Sequence, residues 1–390
     1  MSKKTQIANS CFKDCVKLTK ISIPPTITVI SMSAFEGCTS LERVSIPSSV
    51  TSIENFAFAK CSSLDQIILP SYLTSISFHV FDECSSLQQI TIPSTVSSMN
   101  GFCFNKCSSL AEVTIPHLVT KIGKNAFSSC SSLRKINIPS SVTCIDDNAF
   151  NNCKILNQIT IPSSVTIIGE MAFSSCEMLT KMVIPSSVTQ IGANTFSGCN
   201  LLNEIALLSS ITRISDGLFY SCKSLVQISI PSSVNEIGNN AFYGCISLIQ
   251  ITIPDSVSSI GNSAFSSCTS LQRVEMPSSL LEIGSRAFNK CSSLQQIIIP
   301  SSVTKIGHFS FFGCSDLTQI TIPPSVSIIG DLVFCDCHSL SSVSYFCSHT
   351  KIGENIFKGC RSLKQINMSA SIQLTNKDLG ISEYVKITKV

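Results

Sequence analysis

A cysteine recurs every 23 residues from Cys15 to Cys360, sixteen times, without an insertion or deletion. A phenylalanine keeps the same beat three residues earlier, from Phe12 to Phe357, and a leucine three residues later, from Leu18 to Leu363. No member of the three columns is substituted. A fixed period of this length marks a stack of like supersecondary units, each packed on its neighbours, rather than a globule around one core. The register holds from about residue 7 to 375. It divides the chain into a solenoid domain over residues 1–376 and a C-terminal cap or tail over 377–390.

The stretch LNQITIPSSVTIIGEMAFSSC, Leu156 to Cys176, represents one coil. Leu156, Ile159 and Ile161 give an in–out alternation that a short strand requires. Pro162 ends that strand because it has no N–H for the ladder and fixes φ. Ser163 and Ser164 suit the bend, where a hydroxyl can bond nearby backbone. Val165 and Ile168 point inward from a second extended segment. Gly169 is expected at a positive φ. MAFSSC is long enough for one helical turn, which would set Ala172, Phe173 and Cys176 on one inward face.

The pattern L-x-x-I-x-I-P-S-S-V-T-x-I-G-x-x-A-F-x-x-C-x-S resembles the 23-residue leucine-rich repeat of the BspA-like family. The resemblance covers nearly the whole chain. It implies a right-handed, curved leucine-rich repeat solenoid of about sixteen coils, with a parallel sheet on the concave face. Short extended segments and single helical turns would form the convex face. It further implies a non-catalytic module that binds a protein or glycan ligand on the concave face, as a surface-associated adhesin or host-interaction protein. An intracellular protein-interaction scaffold is the alternative. Leu208 and Phe346 replace the strand-ending proline, and His349 replaces an inward valine, so the sheet is expected to loosen there.

Twenty-one cysteines invite disulfide or metal chemistry, but the column argues for packing. Equivalent Cβ atoms in a stack stay about 4.8 Å apart with parallel vectors. A disulfide needs them near 3.8 Å and converging. Buried free thiols acting as small apolar fillers fit better, and they suit a reducing compartment. Of the cysteines outside the column, Cys103 takes the place of Ala172 and reads as another filler. Cys335, Cys337, His338, Cys347 and His349 form the one cluster with zinc-like spacing. Cys337 should point inward there and the rest should lie on other faces, so no metal or cofactor is assigned.

No nucleophile-elbow, metalloprotease or phosphate-loop motif occurs, and the five histidines fall at different repeat phases. Charged residues make up 13% of the chain and net charge is +3, with no basic run to hold nucleic acid. The mean hydropathy is positive, yet Pro, Ser and polar residues interrupt every coil before a spanning helix could form. The N-terminus lacks the apolar core of a signal peptide. The expectation is a cytoplasmic protein, or one reaching the surface by a non-classical route.

Function is therefore expected in the variable residues of the strands. Glutamine occupies one such position in eight coils, among them Gln66, Gln89, Gln227 and Gln250. Bonding of these amides along the stack is one reading; a polar platform for a ligand is the other. Val226 and Ile249 interrupt the polar face in adjacent coils, while Ile68 and Ile298 do so singly. Arg43 and Arg273 add charge. Tyr220 and Tyr243, one coil apart before the repeat cysteine, are a second candidate on the convex side. Homodimerisation through end-stacking is a further expectation, since solenoid ends expose core unless capped.

Overall fold

A computed structural model describes residues 5–208, 210–346, 351–370 and 372–389. It contains two compact units, Met1–Asn200 and Leu201–Val390. Both are parallel β-solenoids built from the same coil.

In the first unit, seven strands from Lys20–Ser22 to Gln158–Thr160 pair in coil order. A second sheet of six two-residue strands runs from Ser75–Ile76 to Gln190–Ile191. Partners stand one repeat apart, as in Glu112↔Lys135, Val113↔Ile136 and Thr114↔Asn137. The central residue of each of these two strands, Val113 or Ile136, is buried and its neighbours are exposed. The alternation read from L-x-x-I-x-I is the one observed.

The second unit repeats the plan. Seven short strands from Arg213–Ile214 to Lys351–Ile352 form one sheet. On the longer-strand side, Gln250–Thr252 pairs with Arg273–Glu275. Further on, Gln319–Ile322, Ser342–Tyr345, Gln365–Met368 and Lys386–Lys389 make a four-stranded sheet. Helix α1 (Asn376–Leu379) precedes the last strand and carries a capping box between Thr375 and Asp378. Leu379 is buried, and its carbonyl accepts from the Phe357 amide at 3.1 Å.

The phenylalanine, cysteine and leucine columns share the core with inward isoleucine, valine and alanine side chains of the coils. Phenylalanine rings stack at centroid distances of 5.1 Å for Phe12–Phe35 to 5.9 Å for Phe58–Phe81 in the first unit. In the second, Phe219–Phe242 and Phe334–Phe357 stack at 5.3 and 5.5 Å. The repeat thiols donate to the phenylalanine carbonyl of the preceding coil, as Cys153 does to Phe127 at 3.1 Å and Cys268 to Phe242 at 3.1 Å. Cys103 is a fully buried filler in its own coil.

Three local expectations need correction. The MAFSSC segment is a run of β-turns, not a helical turn. Met171, Phe173 and Ser175 donate across to the carbonyls of Ala193, Thr195 and Ser197, at 2.7 to 3.0 Å. Ala172, Ser174 and Cys176 bond back within their own coil instead. This alternation needs two left-handed residues per coil, here Met171 (φ 53°) and Ser175 (φ 58°). Asparagine tolerates that geometry well and fills the first position at Asn125, Asn148, Asn194, Asn240 and Asn355. Phe56, His79 and Phe102 also adopt it, and their rings stack at 4.5 and 4.4 Å, which offsets strain.

Gly169, by contrast, does not have a positive φ. A Cβ there would lie 2.4 Å from the Asp147 nitrogen and 2.6 Å from the Asp146 carbonyl carbon. Glycine is present because adjacent backbones approach too closely for a side chain.

The sheet does not loosen at Phe346. A residue with an N–H replaces proline, and it donates to the Ile322 carbonyl at 3.4 Å. The ladder therefore gains the Ile322↔Tyr345 pair. Nor does the sheet loosen at Leu208, where the strand Glu204–Leu207 is likewise four residues long. The longer-strand ladder breaks one coil later, where residues 226–230 form no strand before Pro231. His349 lies outside the described residues.

Candidate interaction surface

The strand face of the second unit brings together four of the residues singled out from the sequence. Val226 and Ile249 are 40% and 42% exposed, and the Ile249 amide donates to the Val226 carbonyl at 3.1 Å. Gln227 and Gln250 follow them in the same two coils, both exposed. Gln250 is the register partner of Arg273. The result is two apolar side chains beside two amides, with a guanidinium one coil further on.

The amides do not form a bonded ladder. Among the described residues, no hydrogen bond joins the glutamine side chain of one coil to that of the next. Gln66 and Gln89 are register partners, yet their side chains remain open to solvent. Gln365 bonds to Asn367 in its own strand at 2.5 Å. Bonded ladders occur elsewhere, on the turns: the Asp216 carboxylate accepts from the Asn239 backbone amide, the Asn239 side chain from that of Asn262, and the Asn262 side chain from that of Ser285, at 2.8 to 2.9 Å. Backbone demand for caps sets that series, whereas the strand-face amides are uncommitted.

Tyr220 and Tyr243 do meet. Their rings stack at 4.8 Å with 6° between planes, and Tyr220 is 37% exposed. They lie on the turn segments before Cys222 and Cys245, in a different part of the coil from the strand cluster.

The buried thiols of the column have little nucleophilic character. Burial strips hydration from the thiolate and pushes Cys153, Cys199 and Cys245 up to about 12. Within the cluster of zinc-like spacing, Cys337 is buried and donates to the Phe311 carbonyl at 3.3 Å. His338 Nδ1 lies 3.1 Å from the Gly359 carbonyl oxygen, to which it donates. Cys347 and His349 lie outside the described residues. Among the described residues, no three His, Cys, Asp or Glu side chains group as metal ligands, and no helix is long and apolar enough to cross a membrane.

The sequence matches the family described as "BspA type Leucine rich repeat region (6 copies)" over residues 5–134, 120–249 and 235–364. The chain belongs to the BspA-type leucine-rich repeat family. A leucine-rich repeat protein from Bacteroides ovatus is similar in structure, with a TM-score of 0.65 and 28% identity. That likeness covers 99% of this chain and 87% of the other. A leucine-rich repeat protein from Eubacterium ventriosum shares the fold, with a TM-score of 0.51, 23% identity and 82% of each chain covered. No curated protein matches the chain. BspA-type repeats form protein-interaction modules, which are generally non-enzymatic.

Proposed function

We propose that the chain binds a protein partner through the strand face of its coils, as a surface-associated adhesin or host-interaction protein. The observation that carries this reading is the set of uncommitted side chains at Val226, Gln227, Ile249 and Gln250. Such a face offers apolar contact at its centre and hydrogen bonds around it, the composition of a protein interface. Tyr220 and Tyr243 provide the competing surface on the turns.

Capture of proteins from a host-cell surface extract tests the choice of face. Substituting Val226→Lys with Ile249→Lys should weaken the captured complex by about tenfold or more, the effect of losing a hot spot. Tyr220→Ala with Tyr243→Ala should leave it nearly unchanged. The reverse outcome would move the binding surface to the turns.

One observation favours an intracellular scaffold instead. A long column of buried, reduced thiols is suited to a reducing compartment. Labelling of intact cells with a membrane-impermeant reagent separates the two: a labelled chain supports the adhesin, a protected one the scaffold.

A further inference from the structure

Two stretches of the strand face carry nearly the same residues at equivalent repeat positions, one in each unit. In the first, Arg43 is the register partner of Gln66, with Ser45 and Ile68 two residues further along their strands. In the second, Arg273 faces Gln296, and Glu275 and Ile298 take the corresponding places. Ile68 is 75% exposed and Ile298 83%, more than any other valine, leucine or isoleucine among the described residues.

The two differ in how the arginine is satisfied. Arg273 reaches the Glu275 carboxylate at 2.8 Å, and that carboxylate also accepts from the Thr252 hydroxyl at 2.8 Å. Ser45 stands where Glu275 stands, so Arg43 lacks this partner. Among the described residues its guanidinium makes no ion pair or side-chain hydrogen bond. Its register partner on the other side is Lys20, a like charge on the adjacent strand. Glu42 and Asp65, one position earlier in their coils, form no salt bridge with either cation among the described residues. Like charges directly across a ladder repel, and a guanidinium offers paired donors that match a carboxylate.

Ile68 stands between two hollows. One, of about 320 Å³, is bordered by Arg43, Ser45 and Gln66. The other, of about 260 Å³, is bordered by Gln66, Gln89 and Thr91. Along the strand direction, Arg43 and Ile68 are offset by two residues, about 6.6 Å in extended chain. An extended peptide has the same offset between side chains i and i+2.

Building on the strand-face reading above, we propose that the patch of Lys20, Arg43 and Ile68 docks an extended acidic polypeptide segment. It places a carboxylate against Arg43 and, two residues on, an apolar side chain against Ile68. The patch in the second unit is self-neutralised by Glu275 and does not take this ligand.

Calorimetric titration of the full chain with two synthetic peptides tests the assignment. One repeats Asp-Ser-Leu and the other Lys-Ser-Leu. The acidic peptide should bind and the basic one should not. Arg43→Gln, Ser45→Glu and Ile68→Asn should each weaken binding about tenfold, the loss of one charge-assisted bond or one apolar anchor. Ile298→Asn should leave it unchanged. Ser45→Glu is the most informative variant, because the same chain already accommodates glutamate at the equivalent position, Glu275. Equal affinity for the two peptides, no binding of the acidic one, or binding indifferent to Ser45→Glu would overturn the proposal. Failure here, with the Val226 and Ile249 variants still losing their captured partner, would leave the broader reading intact.

Discussion

Raising the pH above 9 should unfold the solenoid, because each buried repeat thiol opposes its own ionisation. Burial lifts Cys153, Cys199 and Cys245 from the usual value of 9.0 to about 12. Below pH 9, folded and unfolded chains both hold these protons, so their contribution to stability is constant. Between 9 and 12 the unfolded chain releases protons that the folded chain retains, and stability falls as pH rises. The slope is about 1.4 kcal/mol per pH unit for each thiol. Three such thiols already give about 4 kcal/mol per unit, against a typical total stability of roughly 5–15 kcal/mol. Far-ultraviolet circular dichroism should stay level from pH 7 to about 9 and then be lost cooperatively within about one to three units. A chain that kept its secondary structure through pH 12 would contradict the burial of the column.

Removing one ring from the phenylalanine column should have a comparable effect at neutral pH. Phe127 is fully buried and stacks at 5.5 Å on both Phe104 and Phe150. Phe127→Ala deletes both contacts and leaves a cavity that rigid neighbouring coils fill only in part. The expected cost is about 3–5 kcal/mol, measured by urea denaturation. In a solenoid, coils are held by nearest-neighbour interfaces, so this lesion should also make the first unit unfold less cooperatively. A cost below about 0.5 kcal/mol, the range of surface substitutions, would mean that the rings do not carry the stack.

The architecture is legible in the sequence because residues that repeat set it. Phenylalanine, cysteine and leucine at a constant phase can satisfy burial only if every coil presents them to the same interior, and Ile7 duly pairs with Ile30 one coil on. Proline positions mark strand ends because the missing N–H acts locally, and Phe346 shows the ladder lengthening once that donor returns. The turn segment is harder to read for a different reason. Its hydrogen bonds alternate between its own coil and the next one, a pattern that spacing within one coil does not reveal. At Gly169 the constraint is not backbone conformation but the backbone of the preceding coil, which no single repeat displays.

The candidate surface is only partly legible. Exposed Val226 and Ile249 stand out as breaks in a polar column, and the structure sets them side by side. Whether the strand glutamines bond one another depends on side-chain torsions that no repeat pattern fixes. The contrast between Arg43 and Arg273 is likewise hidden, since it turns on one residue two positions further on, Ser45 or Glu275.

A cysteine column whose thiols bond to carbonyls of the preceding coil packs the stack together. Brief alkylation of the native chain at pH 8, followed by peptide mass spectrometry, tests this directly. Exposed Cys11 and Cys15 should be modified quickly and half-buried Cys144 more slowly. The buried column from Cys38 to Cys337 should stay unmodified until denaturant is added. Rapid labelling within that column, or recovery of disulfide-linked peptides from adjacent coils, would contradict its role as packing.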